Sequence, residues 1–493
     1  MKNRKHILKI SSIFLTAAML LSSMGAAAFA AEKTPAGTID KLATNGSSFL
    51  SSSDKAGALE AVRDGVLNYQ SNIDIKDYRI KAEDAGLLLD AVKSCYPETF
   101  CLAQTVYVSP TQIGGVSYIS SVIPQYQTSS AEEYNTMLSA FYAKADEYLS
   151  LVDDSMNDFT KAVVLHDAIV MNSEYYITKD GVSATPYTLM VEGWGKCEDY
   201  SRVYAYLLAQ TGIKSELVDS DSMNHEWIKI QLEGKYYEVD VTWDDPVSSK
   251  DKLDSPGRVS HDYFLFSNSS FPNHSGYYEL NPSADTTYDE YYIHNMDSQL
   301  CMVRGSLYGI YCASGVVETK LVSYNAANEL TTVYDLGAAV ESAEGFWASH
   351  WSAGDGYYYT SSYANLCSYD GLLYYNMPKG VYVFDAATNT NLKLAAYNGT
   401  NPLYGLKIAD GKLYGDDAQE PGYSGTLVEV ADCLKMGDVE DDGILNIIDA
   451  TRIQRKLADF ISFDDFGNLK ADFNHDGIIN INDVTAIQVA IAQ

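Results

Sequence analysis

Basic side chains are scarce in this chain. Its 493 residues carry 34 Lys+Arg against 66 Asp+Glu, a formal charge of −32. Binding to phosphate backbones needs a basic face, so the balance argues against nucleic acid as a partner. Long apolar runs are also missing after the first thirty residues, which leaves no stretch able to span a bilayer as a helix. There is no Cys-x-x-Cys anywhere, and His261 and His274 are spaced too irregularly for a zinc set. Metal catalysis is therefore not expected around them.

The one early apolar run has the features of an export signal. Lys2, Arg4 and Lys5 precede Ile13-Phe14-Leu15, and Ala28-Phe29-Ala30 supplies small residues for cleavage, so residues 1–30 read as a signal peptide. The expectation is a secreted, extracellular chain of several domains with no transmembrane segment. Seven cysteines then need an account. With Cys197 set aside, Cys95 could pair with Cys101 and Cys301 with Cys312, or most could be buried free thiols.

Cys197 stands apart because of its surroundings. Gly193 and Gly195 break the chain before it, and Val203, Leu207 and Leu208 follow at helical spacing, which places the thiol at a helix N-terminus. Unpaired N–H groups there favour a thiolate. Glu198 and Asp199 oppose it by like charge, so an imidazole must share the activation. Further on, Trp227-Ile228-Lys229-Ile230-Gln231-Leu232 alternates, Glu233-Gly234-Lys235 turns, and Tyr236-Tyr237-Glu238-Val239-Asp240 returns. Such a hairpin sets His225 beside Asp240. A thiol, an imidazole and a carboxylate in that order are the parts of a nucleophile, its base and the base's orienter.

These three stretches together resemble the transglutaminase-like superfamily of cysteine enzymes, over roughly residues 155–270. The residues that carry the likeness are Cys197-Glu198-Asp199-Tyr200-Ser201, His225-Glu226-Trp227 and Asp240-Val241-Thr242-Trp243-Asp244-Asp245-Pro246. The resemblance implies a papain-like α+β core with Cys197 as nucleophile, His225 as base and Asp240 as orienting acid. Ser201 stands where alanine is more usual. Tyr187 falls where such enzymes place a group near the oxyanion. His166 lies in helical context and reads as structural.

The rest of the chain divides by texture. Residues 31–154 mix helix and strand as an accessory domain, with helices expected over 58–67, 82–92 and 131–151 and strands at 107–109 and 116–119. Pro97-Glu98-Thr99-Phe100 resembles an element that precedes this core in secreted bacterial proteins. The core is assigned 155–274, opening on a helix over 157–177. Residues 275–430 are tyrosine-rich short strands whose starts recur at Gly305, Gly356 and Gly411. About three such units cannot close a propeller, so an open or compact all-β domain is expected. Trp347, Trp351 and the tyrosines could stack on sugars or bind peptide; the plainer reading makes them core.

Residues 431–493 contain a duplicated twelve-residue loop offset by 34. Oxygen-bearing side chains recur at Asp438, Glu440, Asp442 and Asp449, and at Asp472, Asn474, Asp476 and Asp483, with carbonyls of Ile444 and Ile478 at position seven. Glycine at position six permits the sharp turn, and hard oxygens suit Ca2+. Helices are expected over 450–457 and 484–492. The duplication resembles a type I dockerin, a small α-helical module. That likeness implies two Ca2+ sites and a cohesin module of a scaffold protein as partner. The implied partner-facing residues are Ile447, Ile448, Gln454 and Arg455 in one copy, and Ile481, Asn482, Gln488 and Val489 in the other.

The sequence thus reads as a multidomain α+β protein, a secreted cysteine enzyme acting on a protein or peptide substrate within a cellulosome-like complex. Hydrolysis is favoured over cross-linking by analogy. A non-catalytic protein- or carbohydrate-binding component is the reading from another class.

Overall fold

The computed structural model describes residues 42–43, 53–248, 250–251, 253–277, 281–312, 318–338, 348–352, 358–419 and 423–492. The signal-peptide assignment, Gly356, Trp347 and the side chain of Trp351 lie outside that description.

A helix at Asp158–Met171 (α1) and one at Cys197–Gln210 (α2) lie against the strands Lys214–Ser220 (β1), His225–Leu232 (β2), Lys235–Val239 (β3) and Phe264–Phe266 (β4). The sheet order is Leu42–Ala43, β1, β2, β3, β4. Helix α1 runs only to Met171, short of the expected 177, because Asn172 caps it and Glu174–Tyr175 leaves as a strand. The β2–β3 hairpin turns on Glu233 and Gly234, both at positive φ (51° and 81°), the two-residue loop that matches strand twist. Its register pairs Ile228 with Val239, which brings His225 and Asp240 to the same end.

Tyr200, Val203, Tyr204, Leu207 and Leu208 line the buried face of α2, and one apolar cluster joins them to Ile228, Ile230 and Val239 of the sheet. That cluster continues without a break into the N-terminal helices at Ser53–Leu67, Ala85–Cys95 and Ala131–Leu149, through Leu59, Val92 and Phe141. The accessory region and the core therefore share one hydrophobic interior. Buried Glu98, in the Pro97-Glu98-Thr99-Phe100 element, accepts from Arg63 Nε at 2.8 Å.

Beyond the core come antiparallel meanders. Four strands run from Cys301–Val303 to Leu330–Ala338, four from Leu366–Tyr369 to Thr390–Ala396, and three from Leu403–Ala409 to Leu427–Asp432, with a two-stranded ribbon at Ala348–Ser352 and Tyr358–Ser362. Each of the three larger meanders opens with a tight turn at Arg304-Gly305, Asp370-Gly371 or Asp410-Gly411, all six residues at positive φ. Gly371 opens the middle meander, and the strand Tyr358–Ser362 follows the Gly356 position, which lies outside the described residues. The described residues contain no helix long and apolar enough to cross a membrane.

The C-terminal segment forms helices Ile447–Leu457, Asp465–Ala471 and Ile481–Ala492 around Val439, Ala450, Ile453, Val484 and Ile487. The first and last start three residues before the sequence expectation. In the first, Asn446 accepts from Ile448 N–H at 2.7 Å while Asp449 accepts from Asn446 N–H at 3.0 Å, a capping box that begins the helix early. The middle helix was not expected. The segment packs on the meanders: Leu434 N–H donates to the Tyr374 hydroxyl at 3.1 Å and Met436 N–H to Asp370 Oδ2 at 2.9 Å. Leu469, Phe466 and Phe473 join the apolar cluster of Tyr374 and Leu406. No disulfide joins any of the seven cysteines; neither Cys95 and Cys101 nor Cys301 and Cys312 are bridged.

Candidate active site

Cys197 is the first residue of α2, where the chain arrives under tight steric control. Gly193 has φ +73°, and a Cβ there would lie 2.6 Å from the Asn172 carbonyl oxygen. Glu174–Tyr175 pairs in parallel with Trp194–Gly195 just before the thiol. Asp199 accepts from the Lys196 N–H at 3.1 Å and so caps the helix. Asp199, a suspected opponent of the thiolate, is spent on this cap, and burial pushes its carboxyl up to about 6.

The hairpin delivers the other two groups. His225 Nε2 lies 2.6 Å from Asp240 Oδ2, and the Cys197 thiol is near enough to help hold a proton on the same imidazole. With Nε2 taken by the carboxylate, Nδ1 is the nitrogen left for sulfur. Burial lowers the proton affinity of the ring, but Asp240 and Cys197 outweigh that and lift it to about 9. Of the three residues named from sequence, His225 and Asp240 are hydrogen-bonded, and Cys197 lies near enough to bias the ring.

The motif residues around the triad have identifiable tasks. Asp240 Oδ1 accepts from the Thr242 and Trp243 N–H groups at 3.0 and 3.2 Å, which fixes the carboxylate plane. Burial raises its carboxyl, and the bonds from His225 and His274 bring it below the usual range. Trp243 stacks on His225 with ring centroids 5.1 Å apart, and Trp227 does so at 5.8 Å. The Trp227 indole N–H is itself anchored on Glu238 Oε2 at 2.8 Å. Ser201, the departure from alanine, donates its hydroxyl to the Glu226 carbonyl at 3.1 Å and ties α2 to β2.

A cleft of about 530 Å3 opens on His225, with Tyr175, Trp243, Tyr263, Arg258 and Asp262 in its wall. Cys197 is not part of that wall and is 8% exposed. Tyr187, the residue expected near the oxyanion, instead packs on Phe100 at 5.0 Å. Tyr175, with Tyr263, is at the site: it lines the cleft, and its phenol, raised mainly by burial, also feels the Cys197 sulfur. Sequence reading missed it because nothing in Glu174-Tyr175-Tyr176 announces a pairing with Trp194-Gly195.

His166 is buried and structural. Its Nδ1 meets Asp167 Oδ1 at 2.9 Å and its Nε2 meets Asp244 Oδ2 at 3.1 Å. His261 Nε2 joins the same Asp167 oxygen at 2.9 Å, and Leu300 N–H donates to Asp167 Oδ2 at 2.7 Å. Burial works against the His166 cation, but the two carboxylates lift the ring to about 9.

In the C-terminal segment both loops wrap alike. Asp438 accepts from Asp442 and Gly443 N–H groups, and Asp472 from Asp476 and Gly477. Asp449 accepts from Glu440 and Asn446, and Asp483 from Asn474 and Asn480. Four aspartates, Asp438, Asp449, Asp472 and Asp483, are buried around turns made by Gly443 (φ +78°) and Gly477 (φ +82°). Buried carboxylate oxygens on a left-handed turn fit a hard cation. The copies differ at position three, where Glu440 pairs with Arg452 at 3.1 Å while Asn474 bonds Asp476 at 3.1 Å. The Ile444 and Ile478 carbonyls accept from Asn446 and Asn480 side chains. Ile447, Ile448, Gln454, Arg455, Ile481, Asn482, Gln488 and Val489 are all exposed.

No protein-family model matches this chain, and no curated protein matches it. Two solved structures resemble part of it. One, titled a "putative protease" from Parabacteroides distasonis ATCC 8503, is 15% identical and covers 27% of this chain and 35% of its own, with a TM-score of 0.17. The other, titled a "putative cysteine protease" from Cytophaga hutchinsonii, is 14% identical and covers 30% of this chain and 65% of its own, also with a TM-score of 0.17. The chain therefore spans about a third of the length of the first and under two thirds of the second, and the likeness is weak.

Proposed function

We propose that this protein is a transglutaminase-like cysteine enzyme that hydrolyses an amide or peptide bond. The observation that carries the reading is one imidazole, His225, bonded to Asp240 at 2.6 Å and set beside a thiol at a helix N-terminus that raises its proton affinity. In the reaction Cys197 sulfur attacks the carbonyl carbon, and the carbonyl π electrons move to oxygen. As the tetrahedral species collapses, the C–N bond breaks and His225 delivers its proton to the departing amine. Water, deprotonated by His225, then attacks the thioester and releases the acid, returning the thiol. Asp240 holds the ring in the tautomer that both steps need.

The C-terminal loops serve, in this reading, as a Ca2+-dependent dockerin that tethers a secreted enzyme to a cohesin-bearing scaffold. Its support is the matched wrapping of the two loops and the outward placement of all eight partner-facing side chains. Asp438, Asp442, Asp449, Asp472, Asn474, Asp476 and Asp483 would hold the ions, with Glu440 turned toward Arg452. Bound Ca2+ supplies charge neutralisation to clustered carboxylates.

The enzyme reading is tested by incubating the protein and Cys197→Ala with a thiol-directed probe and with a mixed-protein substrate. Labelling confined to Cys197, with new peptide termini in the products, is the expected result. Isopeptide links would make it a cross-linker instead, and equal labelling of the alanine variant would remove the nucleophile.

A further inference from the structure

Asp240 carries two imidazoles, not one. His274 Nε2 lies 3.0 Å from Asp240 Oδ2, the same oxygen that His225 Nε2 meets at 2.6 Å. With Thr242 and Trp243 N–H groups on Oδ1, the carboxylate's acceptor sites are filled. The other nitrogen of His274, Nδ1, lies 2.7 Å from the Pro272 carbonyl oxygen. A carbonyl only accepts, and so does an ionised carboxylate, so both contacts are made only when each nitrogen of His274 carries a proton. Its surroundings suit a cation: Phe271 stacks on it at 3.9 Å, Trp243 lies at 4.4 Å and Trp227 meets it edge-on at 4.7 Å.

This ring has no route to substrate of its own, because its side chain is fully buried. Its effect passes through charge. An ionised nucleophile pair is a thiolate beside a protonated His225, and Asp240 adds one negative charge to that pair. Without a further cation the buried group of four would carry a net charge of minus one, which a low-dielectric interior resists.

We propose that His274 is a positioning residue, a second cation on Asp240 that balances the orienting carboxylate and so sets the pH window in which Cys197 and His225 form their ion pair. The proposal rests on the enzyme reading above. Among the described residues, the titratable groups packed on His274 are Asp240 and His225 from the hairpin and Tyr263 before β4, whose ring lies 5.8 Å away. Those around the sulfur are His225, Tyr175, and Glu198 and Asp199 of its own helix. A positive His274 favours the thiolate and disfavours a proton on His225. Removing its charge therefore moves both ionisations toward alkaline pH.

The test is the pH dependence of Cys197 alkylation by iodoacetamide in the full chain, followed by peptide mapping so that the other six thiols do not contribute. His274→Gln keeps an amide donor for Asp240 but no charge. The expected result is an alkaline shift of the alkylation midpoint by about one pH unit, which is about tenfold slower reaction at a fixed pH on the rising limb. The protein should remain folded by circular dichroism. A folded variant with an unmoved midpoint overturns the proposal and leaves the enzyme reading intact. A wild-type Cys197 that alkylates like a free thiol defeats the enzyme reading and this proposal with it. Histidine-selective 15N NMR of the wild-type chain needs no variant: protons on both nitrogens of the ring that contacts Phe271 support the proposal, and a bare nitrogen at either position overturns it.

Discussion

Arg202 and Glu226 join the helix that begins at Cys197 to the strand that begins at His225. The guanidinium donates from Nε and Nη2 to the two carboxylate oxygens at 3.1 and 3.0 Å, one turn beyond Cys197 and one residue beyond His225. A planar fork on a carboxylate fixes orientation as well as distance. Arg202→Met leaves Glu226 buried and unpaired, at a cost of about 3–5 kcal/mol in denaturant unfolding. Replacing both partners by apolar residues should recover much of that stability while leaving Cys197 alkylation slow, since the clamp between thiol and imidazole is still missing.

The His225 ring makes stability depend on pH in a definite direction. Its proton is held to about 9 in the folded chain against an ordinary 6.5, so its contribution is fully present below about 6.5 and is lost as the pH rises through about 9. The stability advantage of wild type over His225→Gln should follow that course in unfolding titrations. A difference that grows toward alkaline pH would contradict the assignment.

The buried chain through Asp244, His166, Asp167 and His261 should behave differently. Asp167→Asn gives an acceptor's place to an amide beside two imidazoles and Leu300 N–H, and should cost about 3–5 kcal/mol. The pH midpoint of Cys197 alkylation should not move, because this network makes no contact with Asp240 side-chain oxygens.

Calcium should stabilise the C-terminal segment in two unequal steps. Free Ca2+ at a hundredfold its Kd adds about 2.7 kcal/mol per site, visible as a Tm rise reversed by chelator. Glu440 is engaged by Arg452, so the second loop should be the tighter one. Asp483→Asn should then remove the high-affinity step in a calorimetric titration, and Asp449→Asn the weaker.

The placements of Cys197, His225 and Asp240 were legible because each residue sits in a local pattern with its own physics. A glycine-flanked helix start fixes Cys197, and an alternating hairpin with a two-residue turn fixes His225 opposite Asp240. For His274 the sequence gives only a spacing too irregular for a zinc set with His261. His274 lies in the irregular stretch Phe271-Pro272-Asn273-His274, where no period ties it to Asp240, and only packing on Trp227 and Trp243 brings it there. Tyr175 escaped for the same reason, since a two-residue parallel pairing leaves no trace in composition. The helix Asp465–Ala471 was missed because seven residues are too few for a period to show.

The bonds from Leu434 to Tyr374 and from Met436 to Asp370, with Leu469 and Phe473 set into the same apolar seam, mean that the last sixty residues are not a detachable tag. A chain cut before residue 434 would bare that greasy seam and tend to self-associate. Anything that grips the outer helices would also hold the cleft at a set angle, like a bit in a chuck rather than a bead on a string.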